Sequence, residues 1–183
     1  MTYEALSAFA AAGTFVVITA TAIAALVQLR HLRVSNQLES LLNLIRMPLE
    51  PKLIEAFSFC RREFPRMMED ETFRDQLVHQ RPVDRSIHLE LFVCDYYERI
   101  GSAIKYGLIS EDFYLDNSSP LQFWRVLEPA IALMRREHGP WVYENFEYLA
   151  VLAERWDKQH PTGNYPAGVP RLTLRDPWKK NGG

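Results

Sequence analysis

The sequence predicts an all-α protein, with a single N-terminal transmembrane helix continuing into a cytoplasmic helical bundle and an irregular Pro-rich C-terminal tail. A long uncharged N-terminal segment, apolar residues that recur three and four positions apart, and glycines and prolines that separate these stretches support this prediction. The predicted organisation is a short extracytoplasmic leader (1–5), a transmembrane helix (6–29), a juxtamembrane helix (30–47), a cytoplasmic helical domain (48–159) and an irregular tail (160–183).

The uncharged segment runs from Leu6 to Leu29. A helix needs roughly 20 apolar residues to cross the hydrocarbon core of a bilayer, so this segment is long enough to span. Arg30 and Arg33 follow it, and basic flanks stay in the cytoplasm, which predicts an inner-membrane protein with its N-terminus outside. A cleaved signal peptide is an alternative, but it would have a basic leader and a shorter apolar core of about 7–15 residues.

The first helices of the domain are delimited by prolines. Pro51 is expected to open a helix that runs to about Phe64, with Ile54 and Phe57 facing the core. A shorter helix is expected over residues 70–80, before the next proline.

A longer helix is predicted from Asp84 to Gly107, where glycine provides a left-handed stop. Its core face is expected to comprise Ile87, Leu89, Phe92, Val93, Tyr96, Ile100, Ala103 and Ile104. Gly101 on this helix is expected to let another helix approach closely. Ser110, followed by two acidic residues, indicates the start of a brief helix.

Two further helices complete the predicted bundle. One begins at Ser119-Pro120 and runs to about His138, with Pro129 kinking or breaking it. After Gly139-Pro140, the last helix is expected over residues 141–159. The tail carries prolines throughout and cannot continue as a helix.

Composition excludes several classes of function. The formal charge is −2, with 21 basic and 23 acidic residues, so the chain lacks the basic footprint of a nucleic-acid-binding protein. Cys60 and Cys94 have no partners at zinc-site spacing and are expected to be reduced thiols in or beside the core. Phosphate-binding glycine loops and nucleophile-turn motifs are missing, so no catalytic residue, cofactor or metal site is predicted.

One cluster of aromatic and charged side chains is singled out as a candidate interaction site or structural network. Three neighbouring helices are expected to bring these residues together: Tyr97, Glu98, Arg99, Trp124, Arg135, Trp141, Tyr143 and Glu144. Tyr, Trp and Arg dominate binding hot spots, which favours a partner groove. The same groups also satisfy buried carboxylates where helices cross, which favours an internal network. Both interpretations remain open at this point.

A 3-4 spacing of small and apolar residues runs along the N-terminal helix and its continuation. Its members are Gly13, Val17, Ala20, Ala24, Val27, His31, Val34, Leu38, Leu41 and Ile45. Small residues let helices approach closely in lipid, so this seam is a candidate interface of a homo-oligomer. Alternatively, residues 34–45 dock on the chain's own helical domain.

Four segments carry a resemblance to a known family: residues 28–33 (QLRHLR), 97–101 (YERIG), 107–112 (GLISED) and 143–149 (YENFEYL). With them, the chain resembles a bacterial family, domain of unknown function 4760, over nearly its whole length. The resemblance implies a membrane-anchored helical protein. Because the family has no established activity, it implies no catalytic or binding residue.

Together these observations predict a membrane-anchored cytoplasmic protein of unknown biochemical activity that serves as a protein-interaction or scaffold module. Its expected partners are the lipid bilayer through residues 6–29, a second copy through the anchor helix, and another protein of unknown identity. The alternative is an enzyme with a noncanonical site around Glu98 and Glu144.

Overall fold

The computed structural model describes residues 13–28, 48 and 50–173, and every regular element in these ranges is a helix. Residues 13–28 form α1. The following helices are α2 (Pro51–Arg62), α3 (Phe64–Met67), α4 (Glu71–His79), α5 (Glu90–Lys105), α6 (Glu111–Asn117), α7 (Pro120–His138) and α8 (Glu144–Gln159). The all-α class is therefore confirmed for the described residues. The predicted leader (1–5) and juxtamembrane helix (30–47) lie outside them.

Helix α5 is the centre of the domain, and α8, α2 and α7 pack against it. Its Val93 and Ile100 are fully buried, as are Phe146 and Leu149 of α8 and Leu127 of α7. Burying one such side chain stabilises the fold by about 1.5–3 kcal/mol. The domain is thus held together mainly by the apolar faces that the helical periodicity predicted.

Gly101 allows α8 to approach α5 closely. A Cβ atom at this position would overlap the backbone carbonyl of Asn145 at the start of α8. The predicted close approach at Gly101 is confirmed.

The end of α5 follows the predicted glycine stop. Gly107 adopts a left-handed φ of 67°. The N–H of Leu108 donates to the carbonyl of Ala103 over 2.8 Å, and the N–H of Gly107 donates to that of Ile104 over 2.9 Å. These two bonds form a Schellman motif, which satisfies carbonyls that the helix end would otherwise leave unpaired.

The predicted start of α5 at Asp84 is wrong, because the helix begins at Glu90. The Asp84 carboxylate instead accepts hydrogen bonds from the backbone N–H and the hydroxyl of Ser86, over 2.8 and 2.7 Å. Such local bonds stabilise a turn in competition with a helix. Ile87 lies in this turn and is exposed, so its predicted core position is also wrong.

Three other boundaries differ from prediction. The expected single helix from Pro51 to Phe64 is divided, since α2 ends at Arg62 and α3 follows. Helix α7 runs unbroken through Pro129, so the predicted break at this proline is wrong, whereas the alternative of a kink there stays a prediction. Helix α8 begins at Glu144 rather than at position 141. Residues 160–173 contain neither helix nor strand, in agreement with an irregular tail.

The side chains of α1 are exposed along its whole length. In the part of the chain that the structure describes, no helix combines the length and the hydropathy that a membrane crossing requires. The remaining residues of the predicted span, 6–12 and 29, lie outside the described ranges.

Candidate functional site

The aromatic and charged cluster predicted from the sequence lies where α5, α7 and the start of α8 meet. Glu98 of α5 is the clearest member. One oxygen of its carboxylate accepts a hydrogen bond from the backbone N–H of Phe146 over 2.9 Å, and the other accepts from the Asn145 side-chain amide over 2.6 Å. Because the first N–H groups of a helix have no partners within it, Glu98 stabilises the N-terminus of α8.

Arg135 of α7 holds the loop that leads into α8. Its guanidinium donates to the carbonyl of Val142 over 2.8 Å and to that of Tyr143 over 3.3 Å. It also pairs with the Glu147 carboxylate over 2.7 Å. The guanidinium further lies 5.8 Å from the centre of the Trp124 ring. One arginine thus joins two helices and the loop between them.

Tyr143 occupies an unusual backbone position just before α8. Its φ is 54°, in the left-handed region that a residue with a side chain rarely adopts. Its hydroxyl donates to Asp95 over 3.1 Å, and Arg85 pairs with the same carboxylate over 2.6 Å. Burial raises the pKa of the Tyr143 hydroxyl, which therefore stays protonated and donates at neutral pH.

Three members of the predicted cluster lie outside this network. Arg99 is exposed, and Trp141 is 66 % exposed although its ring covers Gly139. Glu144 is exposed beside Lys105, with 3.7 Å between the carboxylate and the ammonium. Tyr97 and Trp124 both contact the buried Phe146 ring, the former stacked at 4.8 Å and the latter edge-on at 5.1 Å. The hydrogen bonds of Glu98, Arg135 and Tyr143 thus serve the packing of α8.

A cavity of about 700 Å³ lies on the other side of Tyr97. We call it the aromatic cavity. Its walls come from α2, α5, α6 and the start of α7, and they include Ile54, Phe57, Arg61, Arg62, Tyr96, Tyr97, Ile109, Phe113, Tyr114, Asn117, Ser118 and Phe123. Ligand pockets for small molecules typically have about 300–1,000 Å³ and mostly apolar walls. The aromatic cavity fits this description.

The hydroxyl groups in this cavity are neutral donors. Tyr114 donates to Tyr96 over 3.4 Å. Burial raises the pKa values of Tyr96, Tyr97 and Tyr114. None of the three becomes an anion near neutral pH, so the tyrosines add no negative charge to the walls.

A second cavity, of about 320 Å³, is lined by Arg81, Arg85, Tyr143 and neighbouring apolar residues. Neither cavity has Glu98 or Glu144 in its walls. Within the described ranges, no three His, Cys, Asp or Glu side chains are grouped as a metal ion would require.

Sequence reasoning missed the aromatic cavity, although part of its signal is visible. On α2, successive spacings of three and four residues separate Ile54, Phe57 and Arg61. The two apolar residues of this set, Ile54 and Phe57, were expected to face the core. Ile54 is instead 52 % exposed at the cavity, so its predicted core position is wrong. The periodicity correctly identified which face of α2 is apolar. It could not show that this face lines a cavity instead of packing fully against another described helix.

Comparison with known proteins adds the family. The model of the family described as Domain of unknown function (DUF4760) matches residues 15–156, which is more than half of the chain. The chain belongs to this family. The DUF4760 match includes all six helices from α2 to α7 and most of α8, and therefore both the network around Glu98 and the aromatic cavity. No curated protein and no solved structure matches the chain.

Proposed function

We propose that this DUF4760 protein is a membrane-anchored interaction module, with residues 6–29 in the inner membrane and the helical domain in the cytoplasm. The carrying observation is the exposure of α1. Phe15, Ile18 and Leu26 are each at least 62 % exposed, and the helix carries no charged residue on any face. A helix that is apolar all round is stable when lipid or protein surrounds it.

A bilayer is the surrounding that the sequence favours. The uncharged stretch extends beyond α1 to Leu6 and Leu29, and Arg30 and Arg33 follow directly. Basic residues beside a spanning helix favour the cytoplasmic side. Cys60 and Cys94 are both free and buried, which agrees with a reducing compartment.

The alternative, an enzyme with a site around Glu98 and Glu144, gains no support from the geometry. Both Glu98 oxygens accept hydrogen bonds at the start of α8, and Glu144 lies in solvent beside Lys105. A general acid or base needs a free position next to a bound substrate. An interaction module requires only a stable fold with an accessible surface.

The experiment is fractionation and topology mapping of the full-length chain. The wild type should sediment with membranes and resist carbonate extraction, and a C-terminal fusion should be active with a cytoplasmic reporter and inactive with a periplasmic one. Ile18→Arg places a charge mid-helix at a cost of about 2.5–3.5 kcal/mol and should move the protein toward the soluble fraction. Leu172→Arg, at an exposed position of the tail, is the matched control. Soluble wild type, or activity of the periplasmic reporter alone, would refute the proposal.

A further inference from the structure

We infer that the aromatic cavity binds a small amphipathic carboxylate, with its anionic head at Arg61 and Arg62 and its apolar body among the aromatic walls. This site is independent of membrane anchoring. The inference rests on the size of the cavity, on the uncompensated positive charge in its wall and on the distribution of apolar and polar lining groups.

The charge of the walls favours an anion. Arg61 and Arg62 both line the cavity, and none of its described lining residues is acidic. Across the described ranges, neither arginine forms an ion pair. Both belong to the last turn of α2, whose C-terminal end carries only about half a negative charge, so a net positive charge remains.

The apolar walls favour a ring-sized or short acyl body. Phe57 is part of the wall, and its ring lies 4.8 Å from that of Phe123 and 5.9 Å from that of Tyr96. Phe113 and Ile54 also line the cavity, and their side chains are 46 % and 52 % exposed. Covering such exposed apolar surface with a ligand removes it from water and therefore favours binding.

Within the described residues, neither Arg61 nor Arg62 donates a side-chain hydrogen bond, so both guanidinium groups have donors available. The Arg61 guanidinium lies over the Phe123 ring, 4.8 Å from its centre. A carboxylate can accept two parallel N–H bonds from one guanidinium. Ser118 and Asn117 add polar groups to the wall.

A second candidate occupant is the chain's own segment 30–47, which directly precedes Pro48 of the cavity wall in the sequence. This segment carries Arg30, Arg33 and Arg46 against one acidic residue, Glu39. Its excess positive charge would be repelled by Arg61 and Arg62. Charge complementarity therefore favours a separate anionic ligand.

The test uses full-length protein in phosphatidylcholine nanodiscs and compares two probes by calorimetry: naphthoate and its uncharged isostere naphthamide. Empty nanodiscs provide the blank. We expect naphthoate to bind saturably, at least tenfold more tightly than naphthamide. Its affinity should fall as salt is raised, because salt screens exposed charges. Equal binding of the two probes, or no binding of either, would overturn the inference.

Variants then locate the site. Arg61→Gln with Arg62→Gln should weaken naphthoate binding at least tenfold, whereas Arg99→Gln with Arg155→Gln removes the same charge from exposed positions outside the cavity and should leave affinity unchanged. Ser58→Phe fills the cavity without changing charge and should abolish binding. Thermal melts establish that each variant is folded.

The lipid in the nanodisc distinguishes a free carboxylate from a lipid headgroup. Binding of naphthoate should persist, at moderate salt, when part of the phosphatidylcholine is replaced by phosphatidylglycerol. If phosphatidylglycerol displaces the probe from the wild type, the site takes a lipid headgroup and the inference is wrong. Sedimentation with membranes is measured separately, so failure of this test leaves the anchoring proposal standing.

Discussion

His88 and Glu90 form a fully buried pair at the start of α5, with 2.7 Å between Nδ1 of the imidazole and an oxygen of the carboxylate. The other polar atom of each side chain, His88 Nε2 and the second Glu90 oxygen, has no hydrogen-bond partner among the described residues. The Phe73 ring covers the imidazole at 4.2 Å. Each side chain therefore depends on the other for its single hydrogen bond.

The first prediction concerns this dependence. Glu90→Leu should lower the free energy of unfolding by about 1–3 kcal/mol, because it leaves His88 polar and buried without a partner. The double variant His88→Leu with Glu90→Leu should lose markedly less. Urea unfolding of the wild type, Glu90→Leu and the double variant measures these free energies.

The exposed pair of His79 and Asp75 offers a control with the same chemistry and a distance of 2.8 Å. Asp75→Leu should change stability by less than about 1 kcal/mol, since water replaces the lost partner. A double variant at His88 and Glu90 that is no more stable than Glu90→Leu would contradict this dependence.

A second prediction tests the close approach of α5 and α8. Gly101→Ala should destabilise the domain by about 1–3 kcal/mol, because the new methyl group meets the backbone carbonyl of Asn145, which cannot turn away. Without this contact, alanine would stabilise the helix relative to glycine by roughly 0.5–1 kcal/mol. Ser102→Ala, on the next position of α5, is the control. A melting temperature for Gly101→Ala at or above that of the wild type would contradict the packing.

How far the sequence predicted this fold depends on whether a feature is local. The glycine stop at Gly107 and the helix start at Ser110 were predicted correctly, because each rests on bonds within a few residues. The start of α5 was misplaced by six positions because Asp84 was as suitable for a turn as for a helix. Local patterns do not decide between two such uses of one side chain.

The site depended on long-range packing, and less of it could be predicted. The grouping of Glu98, Arg135 and Tyr143 was anticipated, while the aromatic cavity and the burial of His88 and Glu90 were not. Burial of a histidine and a glutamate in an amphipathic sequence runs against the usual exposure of both residue types. Apart from the apolar residues beside them, nothing in the sequence indicated that His88 and Glu90 are buried.

The third prediction separates a structural from a catalytic role for Glu98. Glu98→Ala should lower the free energy of unfolding by about 1–2 kcal/mol, the usual cost of losing a helix N-terminal cap. Amide hydrogen exchange at Phe146 should accelerate, because its N–H loses the carboxylate. Glu144→Ala removes an exposed carboxylate from the first turn of α8 and should change stability by less than about 0.5 kcal/mol. Unaltered exchange at Phe146 in Glu98→Ala would contradict the assigned role.

A fourth prediction follows from the buried thiols and hydroxyls. Burial, with a smaller effect of Glu90, raises the pKa of Cys60 to about 12, and burial raises the pKa values of Cys94, Tyr97 and Tyr114. Above pH of about 9–10 the unfolded chain therefore loses protons that the folded chain keeps. Unfolding stability should be insensitive to these groups below that range and fall above it, by up to about 1.4 kcal/mol per pH unit for each group.

Urea unfolding at several pH values between about 7 and 11 measures this dependence. Tyr114→Phe removes one ionisable hydroxyl and should make the alkaline decline shallower. Both thiols should also resist alkylation at neutral pH until the protein unfolds, because they are buried and protonated. A stability that stays constant to pH of about 11 would contradict the burial of these groups.

The final prediction is that the proposed anchor helix self-associates through the 3-4 seam. Ala20 and Ala24 lie one turn apart on the same face of α1, while Ala22 lies roughly 200° around the helix from Ala20. Cysteine introduced at Ala20 or Ala24 should crosslink between copies in native membranes far more efficiently than cysteine at Ala22. Small residues at the contact allow the close packing that drives association in lipid. The native Cys60 and Cys94 can be retained, because both are buried. Since all three positions lie at similar depth in the predicted span, a difference between them reports the contacting face rather than access of the reagent; equal crosslinking would mean that this seam is not an interface.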